Sequence, residues 1–210
     1  MKAILALTAL LIAVAPAAVA AKSPAKPAVA APDRALIGRA TAYLSGLRSA
    51  QAKFSQTDTR GAVSTGTFSL QRPGKARFAY DPPADLTVVA DGTNVNISDA
   101  KLKTFDQYPL KQTPLAILLA DRVKLSDAAA AASVTRGGGG FTVTVVDPKN
   151  RAQGSLALDF TSAPVALTGW TVTDPQGQRT TVKLSGLKAG VALAPSLFVL
   201  NDPRPHTFKP

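Results

Sequence analysis

Beyond residue 66 the chain alternates apolar and polar side chains with period two, and that period constrains its fold more than any other feature. Phe68 and Leu70 alternate with Thr67, Ser69 and Gln71; Ala76, Phe78 and Tyr80 follow, then Leu86, Val88 and Ala90, then Val95 and Ile97. The alternation returns in Phe141, Val143 and Val145, in Leu156, Leu158 and Phe160, in Trp170 and Val172, and in Val182 and Leu184. Successive strand side chains point to opposite faces, so each run carries one apolar face and one wet face. On this parity Ile97 faces the core, and Asn96 and Ser98 face solvent. Turn signals separate the runs: Asp81-Pro82, Asp91-Gly92, Gly137 to Gly140, Asp147-Pro148, Asp174-Pro175 and Asp202-Pro203. Short turns join antiparallel neighbours, whereas parallel winding needs a crossover helix after nearly every strand. The pattern predicts a mainly β fold with a few helices, built on one curved antiparallel sheet of about ten strands.

Helical signals are few. Asp33 is placed to cap a helix over Arg34 to Ser49, with Leu36, Ile37, Ala40, Tyr43, Leu44 and Leu47 on one face. Thr113-Pro114 followed by Leu115, Ile117, Leu118 and Leu119 predicts a short helix with proline in its first turn. Asp127 and the alanines to Ala132 predict another brief one. So thin a helix layer cannot fill a strongly curved sheet, and a cavity between the two is expected.

The first residues read as an export signal. Met1-Lys2 supplies charge, Ala3 to Ala15 an apolar run broken only by Thr8, and Ala18-Val19-Ala20 a cleavage pattern. The expected organisation is a signal peptide at 1–20, an Ala/Pro-rich tether at 21–33 and a single domain at 34–210.

Composition removes most catalytic chemistry. The chain has no Cys, which excludes a disulfide framework, a thiol nucleophile and a thiolate metal site. One histidine, His206, leaves a Ser-His-Asp relay or a multi-His metal centre without its parts. All 13 acidic residues are Asp, and six of them stand beside Pro or Gly, where turns form. A hydrolase using paired Asp side chains would need two of them converging in one cleft. Ser23-Pro24-Ala25-Lys26 matches S-x-x-K but sits in the tether without the partner motifs of a penicillin-binding site. Gly137 to Gly140 precede a strand and lack a following Gly-Lys-Ser/Thr, so they read as a hairpin tip rather than a phosphate cradle. Asp147-Pro148-Lys149-Asn150 lacks the alternating oxygen ligands of a calcium loop. The formal net charge of +11 is spread along the chain, without the basic clusters and interleaved aromatics of a nucleic-acid face. It suits solubility, anionic headgroups or an acidic protein patch. The expectation is no enzyme, no metal, no cofactor and no nucleic acid.

One series of motifs is more specific. Phe54-Ser55-Gln56, the block Gly66 to Tyr80 with Arg72-Pro73-Gly74-Lys75 at its centre, Pro82-Pro83, Val88 and Asp91-Gly92 resemble the first half of the LolA family of periplasmic lipoprotein carriers. Thr113-Pro114-Leu115 with Leu118-Leu119 is similar to that family's mid-chain helix, Trp170 to Gly177 to its late hairpin, and Phe198 with Pro203 to its closing segment. Ala76 stands where members often carry a large apolar residue, and the chain stops soon after Pro203, so a longer C-terminal extension is expected to be absent.

The resemblance implies an incomplete, open antiparallel β-barrel covered by a helical lid, with an apolar cavity for acyl chains. It implies a periplasmic monomer that takes acylated lipoproteins from an inner-membrane lipoprotein-releasing ABC transporter to an outer-membrane acceptor. The alternative on the same fold is a lipid or glycolipid carrier, or a sensor of mislocalised lipoproteins. Each exposed CH₂ of an anchor costs ~0.8 kcal/mol in water, so such cargo must pass directly between sheltering surfaces. Candidate cavity residues are Phe54, Phe68, Leu70, Phe78, Tyr80, Val88 and Leu115, for which core packing is the competing role. Arg72 shares the inward parity of Phe68 and Leu70, and the matching arginine of the family latches the lid through backbone carbonyls. Ending the strand early and reaching water is the alternative for its guanidinium.

Overall fold

A computed structural model describes residues 31–125, 131–146 and 154–202. The expected signal peptide, most of the tether, Ser23 to Lys26, Asp147 to Asn150 and His206 lie outside the described residues. Among these residues helix α1 (Ala31–Gly46) leads into eleven strands: β1 (Ser49–Thr57), β2 (Val63–Gln71), β3 (Lys75–Tyr80), β4 (Leu86–Asp91), β5 (Asn94–Asp99), β6 (Thr104–Pro109), β7 (Ala131–Gly137), β8 (Gly140–Val146), β9 (Ser155–Thr161), β10 (Leu167–Thr173) and β11 (Arg179–Ala189). A 3₁₀ turn at Leu110–Gln112 and the short helix α2 (Leu115–Leu119) interrupt the strands after β6, and a second 3₁₀ turn covers Pro195–Phe198.

All the strands form one antiparallel sheet in the order β6-β5-β4-β3-β2-β1-β11-β10-β9-β8-β7. Two meanders are thus joined by pairing of β1 with β11, and β6 and β7 remain as edges of an open barrel. The inward residues line up in rows across the register: Ala52, Phe68, Phe78, Val88 and Ile97 in one meander, Val182, Trp170, Leu158 and Val143 in the other. Ile37, Ala40, Leu44 and Leu47 of α1 and its exit pack on this face, as do Leu118 and Leu119 of α2.

Three expectations are corrected. Helix α1 begins at Ala31 and ends at Gly46, because Pro32 is tolerated in a first turn and β1 claims Ser49. Asp33 lies inside that first turn and pairs with Arg136 of β7 at 2.7 Å. Ala131 and Ala132, read as the end of a brief helix, pair with Val146 and Val145 as strand β7. Asn96, expected in solvent, is only 3% exposed. Its amide donates to Asp91 Oδ2 at 2.9 Å and its carbonyl accepts from Gln107 at 2.7 Å.

Asn96 stands opposite Val89, and Val89 opposite Arg77, on the outer face of the sheet. The C-terminal segment covers that strip: Arg77 donates to the Leu197 carbonyl at 3.2 Å, and Val89 and Phe198 are both buried. The Gly137 to Gly140 tip is a two-residue hairpin turn, with Gly138 and Gly139 both at positive φ (60° and 77°).

Candidate functional site

Antiparallel meandering brings the β2–β3 turn, the β4–β5 turn, the start of β1 and the end of α1 to one end of the sheet. The α2 segment is fastened at that end twice. Its entry is held by the Leu110 N–H, which donates to the Thr93 carbonyl at 2.9 Å. Its exit is held by the Gly74 N–H, which donates to the Leu119 carbonyl at 2.8 Å. Arg48 adds an ion pair to Asp121 at 2.9 Å and a hydrogen bond to the Asp121 carbonyl at 3.1 Å. Between these fastenings Thr113, Pro114 and Leu115 form the apex of a flap lying on the inner face.

Beneath that apex is a cavity of about 250 Å³. Thr113, Pro114 and Leu115 roof it; Phe78, Tyr80, Val88, Val95, Trp170, Val172 and Val182 form its apolar wall, with Gln56 and Thr180 adding polar groups. Edge-to-face contacts fix the aromatic part. Phe54 meets Tyr80 at 5.0 Å and Phe78 at 5.5 Å between ring centroids, and Trp170 meets Phe68 at 5.3 Å and Phe78 at 6.0 Å. Gly66 makes this packing possible, since a Cβ there would strike the Ala79 carbonyl and come within 2.7 Å of the Phe54 ring. The Tyr80 hydroxyl donates to Gln56 Oε1 at 2.7 Å. Burial pushes its pKa up to about 12, the bond to Gln56 pulling the other way, so the phenol stays protonated in ordinary buffers.

Arg72 lies at the fastened end. It is 5% exposed, and its guanidinium donates through Nη2 to the Leu44 carbonyl in the last turn of α1. Nε and Nη1 are buried with no partner. Burial, and then the neighbouring Arg48, lower its pKa to about 10, and Asp121 partly offsets them.

A family model described as outer membrane lipoprotein carrier protein LolA matches residues 45–201. This chain belongs to the LolA family. Similar members are the outer-membrane lipoprotein carrier proteins of Pseudomonas fluorescens strain Pf-5, 31% identical over 80% of this chain and 84% of the relative, and of Pseudomonas syringae pv. tomato, 30% identical over the same shares. A LolA superfamily structure from Nitrosomonas europaea aligns with a TM-score of 0.45 at 10% identity, over 80% of this chain and 97% of that one.

The LolA-family resemblance read from Arg72 to Lys75 and its flanking motifs is therefore borne out, as is the open antiparallel sheet with few helices. Of the candidate cavity residues, Phe78, Tyr80, Val88 and Leu115 line the pocket, while Phe54, Phe68 and Leu70 are buried in the core and do not line it. The other liners were not singled out from sequence. Trp170, Val172 and Val182 carry the same inward parity as the chosen residues, and only the pairing of β1 with β11 brings that meander across from Phe78. No carboxylate lines the pocket among the described residues.

Proposed function

We propose that the protein is a periplasmic carrier that shields the acyl chains of lipoproteins beneath the flap. It receives them from an inner-membrane lipoprotein-releasing ABC transporter and passes them to an outer-membrane acceptor. The observation that carries this reading is an apolar pocket roofed by a flap whose fastenings to the Thr93 carbonyl, the Gly74 N–H and Arg48 lie at one end, in a LolA-family chain.

Volume supplies the mechanism. At about 250 Å³ the pocket falls below the ~300–1,000 Å³ of sites for drug-sized ligands, and a triacyl anchor is larger than those. Loading therefore lifts the Thr113–Leu115 apex and enlarges the pocket beneath it. Apolar surface uncovered on the flap is covered again by the chains, at ~0.8 kcal/mol per CH₂ buried. The carrier thus holds cargo at modest net affinity and can give it up.

Arg72 latches the α1 side of the cover in this scheme, through the Leu44 carbonyl, while the flap has its own fastenings. A hydrogen bond from a charged donor contributes about 1.5–3 kcal/mol, and the desolvation of a guanidinium with two unpartnered nitrogens outweighs it, so the closed state stays shallow.

Purified mature protein, mixed with a triacylated lipoprotein in detergent-free buffer, is expected to keep it in solution as a one-to-one complex by native mass spectrometry. Lipoprotein that stays aggregated, or a co-purifying free lipid or glycolipid in its place, would overturn the proposal.

A further inference from the structure

The pocket is apolar over most of its wall, yet three of its polar side chains gather at one end, while the Thr113 hydroxyl of the roof is taken up by the Leu110 carbonyl. Gln56 closes the inward row of β1 that begins with Ala50, Ala52 and Phe54. Tyr80 closes the inward row of β3, and Thr180 opens that of β11. The register puts all three at the same end of the sheet: Phe54 stands opposite Gly66, Gly66 opposite Tyr80, and Gln56 opposite Val182. That end is the one away from Arg72, Gly74 and the flap's fastenings. The cavity therefore has a direction, with apolar depth towards the aromatic wall and a polar rim at the end away from those fastenings.

At the rim one donor group is poised without a partner. The Tyr80 hydroxyl engages Gln56 through Oε1, which occupies the acceptor of that amide and turns its Nε2 the other way. Nε2 carries two N–H donors, and no other hydrogen bond engages this side chain among the described residues. Tyr80 is itself fixed by edge-on contact with Phe54, so the pair is held in place before any ligand arrives. An acyl anchor matches this arrangement. Its chains are apolar, but each joins its head through a carbonyl that only accepts hydrogen bonds, and desolvating that carbonyl unpaired is costly.

Resting on the carrier reading above, we propose that Gln56, oriented by Tyr80, forms a subsite for the ester or amide carbonyl at the head of the acyl anchor. The chains then run from it along Phe78 and Trp170. The site thereby selects acyl chains over alkyl chains of equal length and sets how deep the anchor sits.

The test pairs two ligands with two variants. A diacylglyceryl lipopeptide and its dialkyl-ether counterpart, identical but for the ester carbonyls, are titrated against wild-type protein, Gln56→Leu and Tyr80→Phe. Wild type is expected to favour the ester about fivefold, as one net hydrogen bond allows, and Gln56→Leu to abolish that preference. Tyr80→Phe, which keeps the ring, should reduce it. The ratio is taken within each protein, so a general loss of stability cancels. No ester preference in the wild type, or equal weakening of both ligands in the variants, would sink the subsite while leaving the carrier proposal standing. If neither ligand binds the wild type, both fall.

Discussion

Arg72 is the residue at which local and tertiary demands part most clearly. Its position in the alternation points it inward, and the fold accepts a nearly buried cation that satisfies one donor on the Leu44 carbonyl. Replacing a buried ion pair or triad by apolar groups of similar volume is often neutral or favourable by ~1–4 kcal/mol, and a lone, poorly paired cation carries the same desolvation cost. Arg72→Leu is therefore expected to raise the unfolding free energy of the empty protein by about 1–2 kcal/mol in urea titrations, while changing the ratio of loading to release. A less stable variant would make Arg72 a structural strut. Asp91 shows the opposite case. Burial raises its carboxyl pKa, but hydrogen bonds from the Asn94 and Thr93 backbone and the Asn96 amide outweigh it, and the net pKa lies below the usual value. A depressed carboxylate stabilises the fold above its unfolded pKa, and that contribution is lost as pH falls through the folded value. Asp91→Ala should cost about 1–2 kcal/mol at neutral pH and flatten the loss of stability below about pH 4, read from denaturation midpoints across that range. The inward parity of Arg72 was legible in sequence; its partner was not, because Leu44 is 28 residues away on another element.

Among the elements, strands whose inward row is large and regular were the easiest to read. β1 was not, although Ala50, Ala52 and Phe54 alternate with Gln51, Lys53 and Ser55, because small inward residues give a weak apolar contrast. The alanines of β7 suit a helix by propensity, and pairing with β8 overrides it. The outer face of β3 to β5 reads as wet until the C-terminal segment covers Val89 and Asn96. Gly66 is the position at which one strand serves two neighbours. Gly66→Leu is expected to lower stability by about 1–3 kcal/mol, because the new side chain needs the space filled by the Phe54 ring and the Ala79 carbonyl. Thermal unfolding of the variant checks this, and an unchanged midpoint would mean that the aromatic layer adapts.

For the whole molecule the arrangement of fastenings matters more than any single contact. Tying the flap at one end and leaving its apex on an apolar hollow lets one short segment switch between cover and gate. Trp170, the chain's one tryptophan, is 2% exposed and lines that hollow, so it reports on filling. Loading with a brominated acyl lipopeptide is expected to quench its fluorescence, and an unbrominated one to leave most of the intensity. Equal emission from the two would place the chains elsewhere. The sequence by itself determined the strands with strong alternation, the turns between them, the scarcity of helix and the family, since each rests on residues adjacent in the chain. Only the tertiary structure decided which inward residues face an open space and which are packed solid, and what Arg72 holds. It also decided that Gln56 and Tyr80 meet at one rim, because these depend on register and closure between segments that no local pattern relates.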